Sequence, residues 1–244
     1  MLLKPFIQSL LLACSLSFLA SCDILGSGPC LQGKGATKKE ARDVSPFKGI
    51  DLRVQGNVVV SAGSKTEVSL EGFGNLLPEI TTEVMGSTLV IRSASCLEYD
   101  NEDVTIYVSL PDLDHIELKS AGTVRVQAVP SSQKLRLSVS GSGTLRYSGS
   151  ANRISLLQTG SGEIELTGTA HYLESISSGS GKISGYFLQT DTAKAISTGS
   201  GHQHIWVTKV LDATVSGSGN IYYRGHPSSL TTYSSGSGKI LNDN

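Results

Sequence analysis

LSVSGSGTLRYSGSANRISLLQTGSGEIEL, residues 137–166, decides the fold. It holds two copies of Ser/Thr-Gly-Ser-Gly, Ser140 to Gly143 and Thr159 to Gly162. Four more follow at Ser178 to Gly181, Thr198 to Gly201, Ser216 to Gly219 and Ser235 to Gly238. The first glycines stand at 141, 160, 179, 199, 217 and 236, in steps of 19, 19, 20, 18 and 19 residues. An apolar residue follows the motif at the second place in five copies (Leu145, Ile164, Ile183, Ile221, Ile240), with Gln203 as the exception; Ser120-Ala121-Gly122 reads as a degenerate earlier copy. Between motifs, apolar and polar side chains alternate, as in Leu135, Leu137, Val139 and then Leu145, Tyr147. That is the pattern of a half-buried strand, and no window carries a helical stripe.

A unit of about 19 residues cannot bury its apolar face alone, and stacking successive units closes a continuous core. The sequence therefore predicts an all-β fold, a right-handed parallel β-helix-like solenoid with coils of about 19 residues. An open antiparallel meander is the alternative, but it does not demand the same turn chemistry at so even a step. The glycines either turn a corner with positive φ or let stacked coils approach closely. Ser142, Ser161, Ser180, Ser200, Ser218 and Ser237 are expected in one column, at about 4.8 Å per coil.

Working outward, residues 44–125 are strand-like but irregular: Ile50, Leu52, Val54; Val58, Val60; Val68, Leu70; Leu89, Ile91; Val104, Ile106, Val108, punctuated by Pro46, Pro78 and Pro111. They read as wider first coils or a cap ahead of the Gly-Ser-Gly solenoid at 126–244, and one continuous body is the preferred reading. Residues 1–21 read as an export signal: Lys4, then a run of about fifteen mostly apolar residues, too short to span a bilayer. Leu19-Ala20-Ser21-Cys22 resembles the lipobox of bacterial lipoproteins, which makes Cys22 the lipid attachment site and the membrane a partner. Leu11-Leu12-Ala13-Cys14 is a poorer match, because it leaves too short an apolar run. Residues 22–43 lack apolar periodicity and read as a tether. Cys30 and Cys96 are candidates for a disulfide in an oxidising compartment, with two free thiols as the alternative. The net charge of -1 and the lack of a basic run argue against nucleic acid.

The lipobox, Phe47-Lys48-Gly49-Ile50, the stretch Leu52-Arg53-Val54-Gln55-Gly56-Asn57-Val58 and the Gly-Ser-Gly repeats together resemble the head GIN domain family over about residues 44–240. The resemblance implies a β-helix-like fold, a cell-envelope setting, here at the outer membrane, and adhesion. It brings no catalytic residues with it.

Enzymes on such folds need clustered carboxylates. Glu163 and Glu165 are the best acidic pair, and Glu163 is more simply an ion pair with Lys182 one coil on. A serine that recurs six times argues for structure over nucleophilic catalysis. His202 and His204 have metal spacing but no third ligand. No metal, cofactor or catalytic residue is expected. The sharper candidate is a ligand patch. Constant register puts Tyr186 alongside Trp206, Tyr222 beside His204 and Arg224 beside Trp206, aromatic rings with polar handles suited to a sugar ring or a surface protein. A carbohydrate-active β-helix enzyme and a structural spacer or assembly subunit are the competing functions.

Overall fold

Each stretch of period-two alternation forms a strand in the computed structural model, which describes residues 29–244 apart from 99, 101, 102, 132 and 133. The strands stack in parallel into a β-solenoid. Two sheets run along it, meeting at the corner that the Ser/Thr-Gly-Ser-Gly motif occupies. The sheet before the corner stacks His115–Leu118, Lys134–Val139 and then residues 153–158, 172–177, 192–197 and 210–215, ending on Ser229–Ser234. The sheet after it stacks Thr123–Gln127, residues 144–148, 163–167, 182–185 and 202–206, then Ile221–Arg224 and Ile240–Asn242. Four long strands, Thr144–Gln158, Glu163–Ser177, Lys182–Ser197 and His202–Val215, pass from the second sheet round to the first of the next coil.

Inward positions carry the core. Leu145, Ile164, Ile183 and Ile221 line up in register and are at most 1% exposed. Each such side chain contributes about 1.5–3 kcal/mol on burial. Gln203 occupies the same row at 0% exposure. Its amide is satisfied on both sides: the Ser175 hydroxyl donates to Oε1 at 2.7 Å, and Nε2 donates to the Ile196 carbonyl at 2.7 Å. A buried amide with full partners costs little, so the sequence exception is accommodated without breaking the row.

The motif glycines settle the choice left open by the sequence. None of the twelve has positive φ. Instead, a Cβ on any of them would fall well inside 3.0 Å of the backbone of the coil before, as Gly179 would against Gly160 and Gly181 against Gly162. Close approach of the coils is what excludes a side chain. Ser120 and Gly122 lie under Gly141 and Gly143, so the degenerate copy is the first step of the ladder. The central serines and the residues that open each motif are all exposed.

The N-terminal half is irregular for a topological reason. The coil of Gly49–Leu52 and Asn57–Ala62 stacks between that of Thr88–Ser93 and Val104–Leu110 on one side and that of His115–Leu118 and Thr123–Gln127 on the other. Space order and chain order therefore differ. Beyond the outer coil, Ile80–Met85 pairs antiparallel with Thr88–Ser93, and Glu67–Phe73 pairs antiparallel with Val104–Leu110. Thr37–Arg42 then pairs antiparallel with Glu67–Phe73, so the expected tether to residue 43 gives way to a strand at Thr37. This strand is mostly exposed and polar, held by backbone hydrogen bonds, and apolar periodicity could not reveal it. A two-residue strand, Leu31–Gln32, pairs with Leu97–Glu98. Residues 31–244 form one compact unit. Cys30 and Cys96 are both disulfide-bonded. The export signal, Cys22 and the first part of the tether lie outside the described residues. Among the described residues, no helix is long and apolar enough to cross a membrane.

Candidate functional site

Outward positions of the sheet after the corner bring the sequence candidates together. Glu163 sits 3.6 Å from the Lys182 ammonium and accepts the Ser184 hydroxyl at 2.9 Å. Glu165 pairs with Arg146 at 2.9 Å. Both carboxylates are thus engaged by neighbouring coils. The Nδ1 of His202 accepts the Asn220 backbone N–H at 3.0 Å. No group of three or more His, Cys, Asp or Glu that could hold a metal occurs among the described residues.

The next coils carry an aromatic stack. His204 and Tyr222 are opposite each other in register, with ring centroids 5.0 Å apart and planes 9° apart. Tyr186 meets His204 edge-on at 4.8 Å, and His202 meets Tyr222 edge-on at 6.0 Å. The Arg224 guanidinium lies 4.0 Å over the Tyr186 ring. The Tyr186 hydroxyl donates to Asp243 Oδ2 at 2.6 Å, and Arg224 Nε donates to the Asp243 carbonyl at 3.0 Å. Burial first, and this hydrogen bond second, push the Tyr186 hydroxyl far above its ordinary value. The same hydrogen bond, with Arg224, holds the Asp243 carboxyl below the usual range. Burial and then the Lys182 ammonium push His204 down, which favours the uncharged ring in the stack.

Trp206 is the member the structure moves. Constant register pairs it with Tyr186. Instead, Gly185 pairs with Ile205 and the next pair is Gln189 with Trp206, so Tyr186, Phe187 and Leu188 form a bulge on their strand. Arg224 remains opposite Trp206. The patch therefore divides: Tyr186, His204, Tyr222 and Arg224 form one cluster, and Trp206 stands in the row of Gln189. The bulge also presents a residue that the sequence reading missed. Phe187 is 75% exposed while its neighbour Leu188 is 0% exposed. Phe187, Tyr186, His204, Ser184 and Lys182 line a hollow of about 250 Å³. The signal was present in the repeat: the step from Gly179 to Gly199 is 20 residues and the next is 18.

A parallel β-solenoid with an aromatic and cationic surface cluster, its best acidic pair held in ion pairs, defines a class of repeat proteins built to present side chains on a rigid face. The family described as putative auto-transporter adhesin, head GIN domain, matches residues 46–227, and the chain belongs to that family. Three solved structures share the fold. A putative adhesin from Bacteroides fragilis is 24% identical with a TM-score of 0.77, covering 87% of this chain and 100% of its own. A protein from Parabacteroides distasonis titled a putative lipid binding protein is 23% identical with a TM-score of 0.69, over 88% and 99%. A putative adhesin from Parabacteroides merdae is 20% identical with a TM-score of 0.64, over 88% and 99%. No curated protein matches the chain.

Proposed function

We propose that this protein is a non-catalytic binding module of the cell envelope, anchored at the outer membrane by lipid on Cys22, that takes polysaccharide on its aromatic cluster. The adhesin-like family supports a binding role at a cell surface. The observation that carries the site is Phe187, a phenyl ring lifted into solvent by a bulge beside the Tyr186–His204–Tyr222 stack. Bulges recur where a strand re-aims a side chain for function, and flat rings beside a guanidinium and an ammonium suit the apolar face and hydroxyl rim of a sugar. Arg224 and Lys182 supply the donors. A disulfide between Cys30 and Cys96 would fix the start of the chain to the solenoid; mass spectrometry of the unreduced protein should find that crosslinked peptide, and other partners for either cysteine would refute it.

The test is a glycan array probed with the purified protein and with Phe187→Ala. Binding by the native protein that falls at least tenfold in the variant supports the reading. Binding that the variant keeps places the site elsewhere, and conversion of any glycan to product establishes an enzyme instead. Cys22→Ser should release the protein from the membrane fraction; a variant still sedimenting with membranes would refute the lipid anchor.

A further inference from the structure

A hollow of about 580 Å³ lies where the long strands turn from the second sheet back to the first, with Gln189 in its wall two residues beyond Phe187. Its shape follows from the sequence of three successive coils. Ser150-Ala151-Asn152, Thr169-Ala170-His171 and Gln189-Thr190-Asp191 stack in register. The middle residues turn inward or are small: Ala170 is 6% exposed and Thr190 is 1% exposed. The flanking residues point out. The result is a trough along the solenoid axis, with one wall of Ser150, Thr169 and Gln189 and the other of Asn152, His171 and Asp191. Rungs repeat at about 4.8 Å, and outward residues two apart on a strand stand roughly 7 Å apart.

The walls are polar along their length. Each step supplies at least one hydroxyl or carboxamide, Ser150 and Asn152 in the first, Thr169 in the second and Gln189 in the third, and no large apolar side chain lines the trough. Ser131 adds a buried hydroxyl with no hydrogen-bond partner. Thr169 Oγ1 donates to Ser150 Oγ at 2.9 Å, which orders that wall. Asp191 is held by Lys209 at 3.0 Å and by His171 at 3.2 Å, so the one carboxylate of the trough is already engaged and no run of like charges lines it for a polyanion or polycation.

We infer that this trough is a second binding subsite, for a linear, uncharged, hydroxyl-rich glycan chain lying along the solenoid axis. Three features select this class. Every rung places a hydroxyl or carboxamide on the trough, so the hydroxyls of an extended sugar chain meet a hydrogen-bonding side chain at each step. A lipid tail would find only the floor of Ala151 and Ala170, between two polar walls. An extended peptide would find no free strand edge, because the three strands here are already paired to one another. The inference rests on the glycan-binding reading above and extends it to the neighbouring turn of the solenoid.

Isothermal titration with mannan, β-glucan and chito-oligosaccharides tests it, using the native protein, Thr169→Tyr, Gln189→Ala, Asn152→Ala and Phe187→Ala. Thr169 is exposed, so a tyrosine there fills the trough without touching the core. The expected result is loss of binding in Thr169→Tyr and about a three- to tenfold weakening for each of Gln189→Ala and Asn152→Ala, the effect of one hydrogen bond apiece. Glycan binding that Phe187→Ala weakens but Thr169→Tyr leaves intact overturns the trough and keeps the aromatic site. No heat with any glycan overturns both. Circular dichroism melts of each variant separate lost binding from lost fold.

Discussion

At Gly181, the distance to the neighbouring coil leaves no room for even one methyl group, because a Cβ would meet the Gly162 carbonyl and the Gln158 amide. Backbone cannot step aside as a flexible side chain can. Gly181→Ala should therefore lose about 1–3 kcal/mol, the range for overpacking, and melt several degrees lower. Ser180→Ala, one residue away and exposed, should stay within about 0.5 kcal/mol of the native protein. Equal urea midpoints for the two variants would refute the packing account. The repeat spelled out this ladder in the sequence, down to its degenerate first copy, but could not say whether sterics or φ demanded the glycines. Asp51 was not legible at all. It is buried in the irregular half, and its Oδ2 accepts Arg53 at 2.7 Å and Lys119 at 2.9 Å. Burial raises its pKa, but the hydrogen bonds and charges of Arg53 and Lys119 outweigh it and hold the carboxyl below its ordinary value. A depressed pKa means the stabilisation is complete above the unfolded value of about 3.9 and is lost as pH falls through the lower folded value. Asp51→Asn should cost about 1–3 kcal/mol at pH 7. The gap in urea midpoint between the two proteins should close as the pH falls below about 4; a gap independent of pH would show that the charge is not what matters.

Among the elements, strand existence followed from alternation, whereas register followed only where the period stayed constant. Tyr222 beside His204 and Arg224 beside Trp206 came out as the alternation placed them. Tyr186 beside Trp206 did not, because three residues of one strand have no partner on the next. The uneven steps of 20 and 18 residues are the arithmetic trace of that bulge. Reading them as loop variation hides Phe187, since a bulge flips which side chains face out. The two neighbours in the bulge make the point measurable. Phe187→Ala removes an exposed ring and should change stability by no more than about 0.5 kcal/mol. Leu188→Ala opens a cavity in the core and should cost about 2–5 kcal/mol. Similar losses in thermal melts of the two variants would mean that the bulge does not hold the register described. The strand at Thr37–Arg42 was illegible for the opposite reason: nothing apolar marks it, and only its neighbour's free edge gives it a place.

For the whole molecule, a stack of coils has two ends, and each end of a solenoid must be kept from pairing with another chain. The two ends here differ. At one, the strand Glu67–Phe73 would offer an open edge of backbone donors and acceptors, and Thr37–Arg42 occupies it. The cover carries Lys38, Lys39, Glu40 and Arg42, and Arg42 Nη2 also donates to the Leu77 carbonyl at 2.7 Å. Charged side chains on the outermost strand are a recognised guard against edge-to-edge association. At the other end, Ser229–Ser234 is exposed along its whole length and is guarded by serine and threonine instead of charge, with Leu230 47% and Tyr233 62% exposed. The charged cover should therefore control solubility more than it controls core stability. A chain starting at Val44 keeps all the stacked coils but uncovers the edge of Glu67–Phe73. In sedimentation velocity with both chains reduced, so that Cys96 cannot crosslink them, it should self-associate increasingly with concentration, while residues 29–244 stay at one sedimentation coefficient over the same range. Adding Lys at Ser69, an outward position on the uncovered strand, should reverse that association by restoring charge to the edge. Association of both chains to the same extent would place the sticky surface at the Ser229–Ser234 end, and a Val44 chain that stays monomeric would show that the N-terminal strand guards nothing.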